Sequence, residues 1–166
     1  MITVQDLKAS QLEIYKSFLK TGLINDEESF RISSIDDLYT PFPTDDKIDS
    51  FTIAAYSNND LAGIVSFARD GLDREKLRHK GILFRMYVSP DFRGQGIAKV
   101  LIENVINRAK LLDNMEQINL TVVSNNFNAK NIYAKFGFTV FSNEKKAFKW
   151  KGKYFDEDSM VLFLNQ

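Results

Sequence analysis

The chain has 166 residues, 44% of them hydrophobic, with 14 Phe and no Cys, enough apolar material for one well-packed domain spanning 1–166 and too little length to favour a second. Lys and Arg total 22, as do Asp and Glu, so no whole-molecule field favours nucleic acid or an anionic membrane surface. Without Cys there are no disulfides, no thiolate metal site and no cysteine nucleophile, and a reducing compartment suits the composition.

The first residues, Met1-Ile2-Thr3-Val4, show no basic stretch followed by an apolar run, and no segment has the length needed to cross a bilayer. A cytoplasmic protein without a membrane partner is therefore expected. Residues 2–4 read as a short edge strand. A helix follows, with Leu12, Tyr15, Phe18 and Leu19 on its apolar side, ending near Gly22. Residues 27–39, which carry Phe30, Ile35 and Leu38, read as a second helix or two short ones. Pro41 and Pro43 make 40–47 a loop, and Phe42 between them is a candidate pocket wall. Residues 51–56 and 61–67 flank Ser57-Asn58-Asn59-Asp60, a hairpin signal. Residues 70–80 are charged and read as a solvated connection, with His79 exposed inside it.

Residues 83–88 form a short apolar strand closed by Ser89-Pro90-Asp91. From Ile97 the period changes to that of a helix: Ile97, Leu101, Val105, Ala109 and Leu112 share a face with Ala98, Ile102 and Ile106. Residues 118–123 alternate apolar and polar with β-branched enrichment, another strand. Residues 138–141 and 160–164 are strands as well, with a turn at Lys151-Gly152-Lys153. The order is βαα, a three-stranded meander, then αβαββ, with no internal repeat or linker.

The chemistry lies between the strand at 83–88 and the helix that follows it. Gly94 and Gly96 let the backbone turn tightly, so that successive N–H groups converge where the helix start adds partial positive charge. This is a seat for a phosphate. The third glycine of a dinucleotide fingerprint and the Gly-Lys-Ser/Thr of a P-loop are both missing.

Arg93-Gly94-Gln95-Gly96-Ile97-Ala98 matches the pattern Arg/Gln-x-x-Gly-x-Gly/Ala, and in this respect resembles the pyrophosphate-binding motif of the GNAT superfamily of acyl-CoA-dependent N-acyltransferases. A second segment, Ser124 to Phe138, is similar to that superfamily's Asn-x-x-Ala-x-x-hydrophobic-Tyr-x-x-hydrophobic-Gly-Phe stretch, through Asn126, Ala129, Ile132, Tyr133, Phe136, Gly137 and Phe138. The resemblance implies an α/β (α+β) fold: a mixed, mostly antiparallel central sheet whose fourth and fifth strands splay apart, with about four helices. It also implies acetyl-CoA as co-substrate, its pyrophosphate on the backbone of Arg93, Gly94, Gln95, Gly96, Ile97 and Ala98 with Lys99 adding charge. A bulge near Met86, Tyr87 and Val88 would aim an amide at the thioester carbonyl.

Within that resemblance Tyr133 is the expected general acid, since a phenol of pKa about 10 keeps its proton at neutral pH and can deliver it to a departing thiolate; a core-packed tyrosine is the other reading. Asn126 is a candidate cofactor contact, a helix N-cap, or both. The resemblance implies a glutamate base acting through water on the fourth or a neighbouring strand, and on the fourth this chain has Arg85 and Tyr87 instead. Glu27, Glu28, Asp156 and Glu157 are the alternatives, and Glu157 is the one carried forward as base or acceptor contact. Phe30, Phe42 and Tyr154 are candidate acceptor contacts. No His or carboxylate pair has metal-ligand spacing, so no metal is expected.

The function expected is acetyl transfer from acetyl-CoA to a primary amine of a small molecule or peptide, by direct attack in a ternary complex. The rivals are an acyl-CoA-binding sensor or partner-binding module without turnover, and a nucleotide-binding α/β domain. A homodimer through the aromatic C-terminal strands is open.

Overall fold

Two turns show how the sequence sets the register of the sheet. Asn58 and Asn59 both take left-handed backbone angles (φ 50° and 76°), as do Lys151 and Gly152 (φ 47° and 81°), and each pair closes a two-residue hairpin with Ser57 opposite Asp60 and Trp150 opposite Lys153. The structure, a computed structural model, describes residues 1–71 and 73–165. Its elements in order are β1 (Ile2–Leu7), α1 (Leu12–Asn25), α2 (Ser34–Asp37), β2 (Ser50–Ser57), β3 (Asp60–Arg69), β4 (Lys80–Val88), α3 (Ile97–Ala109), β5 (Gln117–Val123), α4 (Phe127–Lys135), β6 (Thr139–Trp150) and β7 (Lys153–Phe163).

The strands form one seven-stranded sheet in the order β1-β2-β3-β4-β5-β7-β6. Every neighbouring pair is antiparallel except β4 and β5, which run parallel. That parallel pair is joined only from Lys80 opposite Gln117 to Ile82 opposite Asn119. Beyond it the two strands separate, and the gap opens toward Val88 and Val123. This is the splayed, mixed α/β sheet expected, with four α-helices around it.

Past the paired stretch, β4 is irregular on its β3 side. Between the pairs Ser66–Phe84 and Ile64–Tyr87, β3 advances by fewer residues than β4, so β4 carries an extra residue, and Arg85 has φ 51°. A bulge of this kind bends its strand and re-aims its side chains. It lies at Arg85–Met86, just before the stretch the sequence points to.

Two apolar clusters cover the two faces. Under α3, Ile97, Leu101, Ile102 and Val105 pack on Phe51, Ile53, Val65, Phe67 and Leu83, and the cluster continues to Tyr133 and Phe138. Under α1, Tyr15, Leu19 and Leu23 pack on Leu7, Ala54, Ile64 and Tyr87. The helical spacing from Ile97 therefore reads the buried face correctly.

Some boundaries differ from expectation. α1 runs past Gly22 to Asn25. Residues 27–39 hold a 3-10 turn, Glu27–Ser29, and the single-turn α2, started by a reciprocal capping box between Ser33 and Asp36. β6 and β7 are longer than the apolar runs that announce them, because β6 is an edge strand with two register shifts and mostly exposed residues. His79 is half-buried, its carbonyl accepting from Glu116 and Gln117. The expected connection 70–80 includes position 72, which lies outside the described residues. No helix among the described residues is long and apolar enough to cross a membrane.

Candidate active site

β4 ends where Pro90 opens the 3-10 turn Pro90–Phe92, and the chain then passes through Arg93 into Gly94 (φ 76°) and Gly96 (φ 84°) before α3 starts at Ile97. A Cβ at either glycine would point into open space, with no other atom within 4 Å. The strain at positive φ and the space left clear in front of the backbone are the two reasons for glycine here. α3 has no side-chain cap and no acidic residue in its first turn. Among the described residues, the main-chain N–H groups of 94–99 donate to no other group. They are gathered at a helix N-terminus, facing solvent, and that arrangement fits a diphosphate.

The side chains around the loop are held elsewhere. Arg93 donates from Nε to the Val88 carbonyl (3.1 Å) and from a terminal nitrogen to Asp26 (2.7 Å), fastening the loop to β4 and to the end of α1. Gln95 donates to the Asp91 carbonyl at 3.2 Å. Lys99 is exposed, its ammonium 3.8 Å from Glu103, and Ala98 is half-buried above the buried Ile97. What the loop leaves unengaged is therefore its backbone.

On the far side of the gap, α4 begins with Asn126 as its N-cap, the side-chain oxygen accepting from the Ala129 N–H at 3.2 Å. One of the two readings of Asn126 is therefore observed. Tyr133 is 7% exposed, its ring edge-on to Phe138 at 5.7 Å, in the cluster that also contains Leu83 of β4 and Val122 of β5. Burial pushes its phenol pKa up, so the phenol keeps its proton at neutral pH. Met86 and Val88 pack against the same cluster, whereas Tyr87 points the other way, against α1.

The four acidic candidates separate clearly. Glu27 pairs with Lys151 (2.8 Å) and Glu28 is exposed. Asp156 accepts from the Lys146 N–H (2.8 Å) and pairs with Lys145 (2.9 Å), contacts that hold its pKa low. Glu157 alone is buried, at 4% exposure, in β7 opposite Val123 of β5 and Glu144 of β6. Its carboxylate accepts from Arg31 Nε, and Arg31 also reaches Glu144 at 2.9 Å. Burial works against the Arg31 charge, but these two carboxylates outweigh it and raise its pKa.

A cavity of about 200 Å³ lies between residues 27–36 and the β6–β7 hairpin, walled by Phe30, Arg31, Phe148 and Trp150 among others, with Arg31 but not Glu157 in its wall. Phe30 lines this cavity, with its ring 6.1 Å from Tyr87. Phe42 is half-buried against Tyr15, ring centroids 5.2 Å apart. Tyr154 stands 54% exposed beneath the ammonium groups of Lys146 and Lys149, and the hairpin wall of the cavity is Phe148 and Trp150. A larger cavity, about 410 Å³, sits at the other end of β4; its Arg69 is engaged by Asp49 and by the carbonyls of Arg78 and Asp113.

A sequence model described as the Acetyltransferase (GNAT) family matches residues 14–138. The chain belongs to the GNAT acetyltransferase family. Solved structures of similar fold include the GNAT-family acetyltransferase of Streptococcus pneumoniae, 20% identical with TM-score 0.83 over 99% of this chain and 100% of that one. A protein described as a probable acetyltransferase from Staphylococcus epidermidis is 25% identical, TM-score 0.77, over 98% and 99%. yncA of Salmonella typhimurium, solved with its cofactor acetyl-CoA, is 15% identical, TM-score 0.76, over 99% and 95%. No curated protein matches the sequence.

The matched span stops at Phe138, so the β6–β7 hairpin with Glu157, Phe148 and Trp150 lies beyond what the GNAT sequence model covers. Among the described residues, no group of three or more His, Cys, Asp or Glu side chains could hold a metal ion. Sequence reasoning missed Arg31. No spacing signal could have joined Arg31 to Glu157, which is 126 positions away.

Proposed function

We propose that this GNAT protein transfers the acetyl group of acetyl-CoA to a primary amine of a small molecule or peptide, by direct attack of the amine in a ternary complex. The observation that carries the reading is the row of unengaged main-chain N–H groups at 94–99, opening beside the gap between β4 and β5. Acetyl-CoA supplies an acyl group already activated as a thioester. The chain supplies binding, charge stabilisation and proton transfer.

In this proposal the amides of Gly94 to Lys99 grip the diphosphate. Their charge cannot be titrated away, so the grip holds across pH. At the Arg85–Met86 bulge, a main-chain N–H freed from the β3–β4 ladder faces the carbonyl oxygen and donates more strongly as negative charge develops there. Tyr133 returns a proton to the leaving sulfur; its raised pKa keeps that proton in place beforehand. Glu157 takes the proton of the arriving ammonium, directly or through a water, because an alkylammonium of pKa about 10 has no lone pair to attack with. Arg31 orients the Glu157 carboxylate. Phe30, Phe148 and Trp150 offer apolar walls to the acceptor. The cytoplasmic assignment belongs to this proposal, on the cysteine-free composition.

The test is a panel of amines incubated with acetyl-CoA and read by release of free thiol. The expected result is release that depends on at least one amine and yields its N-acetyl derivative. Tight acetyl-CoA binding with no release from any amine would support the sensor reading instead.

A further inference from the structure

The extra residue of the β4 bulge is an arginine with unused hydrogen-bonding capacity. Arg85 lies between Phe84 and Met86, and the bulge turns it onto the face occupied by α1 and α2, where Tyr87 also packs while Met86 returns to the α3 side. Its side chain is only 24% exposed. Among the described residues its guanidinium donates no hydrogen bond, and its one close charge is Asp37, at 4.0 Å. Asp37 is itself buried and satisfied in part by the Thr40 hydroxyl at 2.9 Å. In the same corner, within reach of both charges, the Tyr15 hydroxyl is buried without a partner.

A guanidinium carries five N–H donors in a planar fork. Burying such a group without acceptors costs more than burying a neutral donor unpaired. An arginine kept in this state, one residue from the amide proposed to face the thioester carbonyl, has the chemistry of a receptor awaiting a planar anion. The buried carboxylate of Asp37 beside it opposes a dianion such as phosphate more strongly than a single negative charge, which favours a carboxylate over a phosphate at this fork.

We propose that Arg85 binds the carboxylate of the acceptor, so that the acceptor is an amino acid or another amine with a carboxylate within a few bonds of its nitrogen. This rests on the acetyl-transfer reading above. It also divides the acceptor's charges: Glu157 meets the ammonium and Arg85 meets the carboxylate.

The test titrates the protein, saturated with CoA, by calorimetry with free amino acids, β-alanine and 4-aminobutyrate, each alongside its own carboxamide. The expected result is at least one carboxylate that binds about 10-fold or more tightly than its carboxamide, and collapse of that difference in Arg85→Gln to about twofold or less. A residue that merely supported the fold would weaken both members of the pair alike. Arg85→Lys, which keeps the charge and loses the fork, carries the test if Arg85→Gln does not fold; it should lose most of the difference. The proposal is overturned if no carboxylate outbinds its carboxamide in the wild type, or if the difference survives in the folded variant. Acetyl transfer fails separately, by absence of thiol release from every amine, whatever the titrations show.

Discussion

The two sides of the β4–β5 gap are built from different materials. The proposed donor side is main chain: a left-handed glycine pair and an uncapped helix start, with Arg93 and Gln95 turned back to brace the loop. The proposed acceptor side is side chain: Arg31 with Glu157 and Glu144, Lys151 with Glu27, and Arg85 near Asp37. A constant diphosphate can be held by backbone, whose donors are the same whatever the sequence. A particular amine has to be selected by side chains, which can change one at a time without moving the sheet.

The contrast can be broken or sharpened by substitution. The largest effect is expected from Tyr133→Phe, which removes the proton donor and should lower kcat about 100-fold while acetyl-CoA affinity stays within about twofold. Because burial raises the phenol pKa, the wild-type rate should show no loss from Tyr133 ionisation anywhere in the ordinary assay range. Steady-state rates across pH, with a separate calorimetric affinity, check both statements. A fall in affinity equal to the fall in rate would return Tyr133 to the role of a core side chain.

Next comes Gly96→Val. A β-branched residue at φ 84° is strained and fills the space in front of the loop, so acetyl-CoA should bind on the order of 10- to 100-fold more weakly, as expected for one or two charge-assisted hydrogen bonds lost. Glu157→Gln should act on the other side alone, with kcat/KM for the amine down about 10-fold and acetyl-CoA affinity unchanged. If it weakens the donor instead, the two sides are not separable.

The smallest effect concerns the seat of α4. Lys130 of α4 pairs with Asp158 of β7, whose carboxylate also accepts from the Ser124 hydroxyl (2.9 Å) and from Asn143 (2.7 Å). Lys130 leads the contacts that hold the Asp158 pKa low. A lowered carboxylate pKa contributes stability that is present above the unfolded value, about 3.9, and lost as pH falls through the folded one. Asp158→Asn should therefore cost about 1–3 kcal/mol near neutral pH, and in denaturant titrations the gap from wild type should narrow as pH falls below the unfolded value, about 3.9.

The same contrast explains what could be read in the sequence. Gly94, Gly96, Asn126 and Tyr133 sit in short local patterns, and the helical period from Ile97 marks a face that is indeed buried. The Asn58-Asn59 turn was legible because asparagine tolerates left-handed angles. Arg85 was not, since an arginine at positive φ has no signature of its own and the bulge it makes depends on pairing with β3. Tyr154 was a reasonable candidate as an aromatic in a basic segment, but strand alternation and two register shifts in β6 send Phe148 and Trp150 to the cavity instead. Arg31 and Glu157 meet only because β7 is inserted between β5 and β6, a tertiary fact with no local trace.

The central claim is that main-chain donors hold the cofactor. It is tested most directly by ¹H–¹⁵N spectra of the protein titrated with CoA. The account predicts that the amide resonances of Gly94 to Lys99 move downfield and become protected from exchange, with the largest shifts at the two glycines and Ile97. Saturable CoA binding that leaves those amides unmoved, and perturbs only residues elsewhere on the sheet, would contradict it.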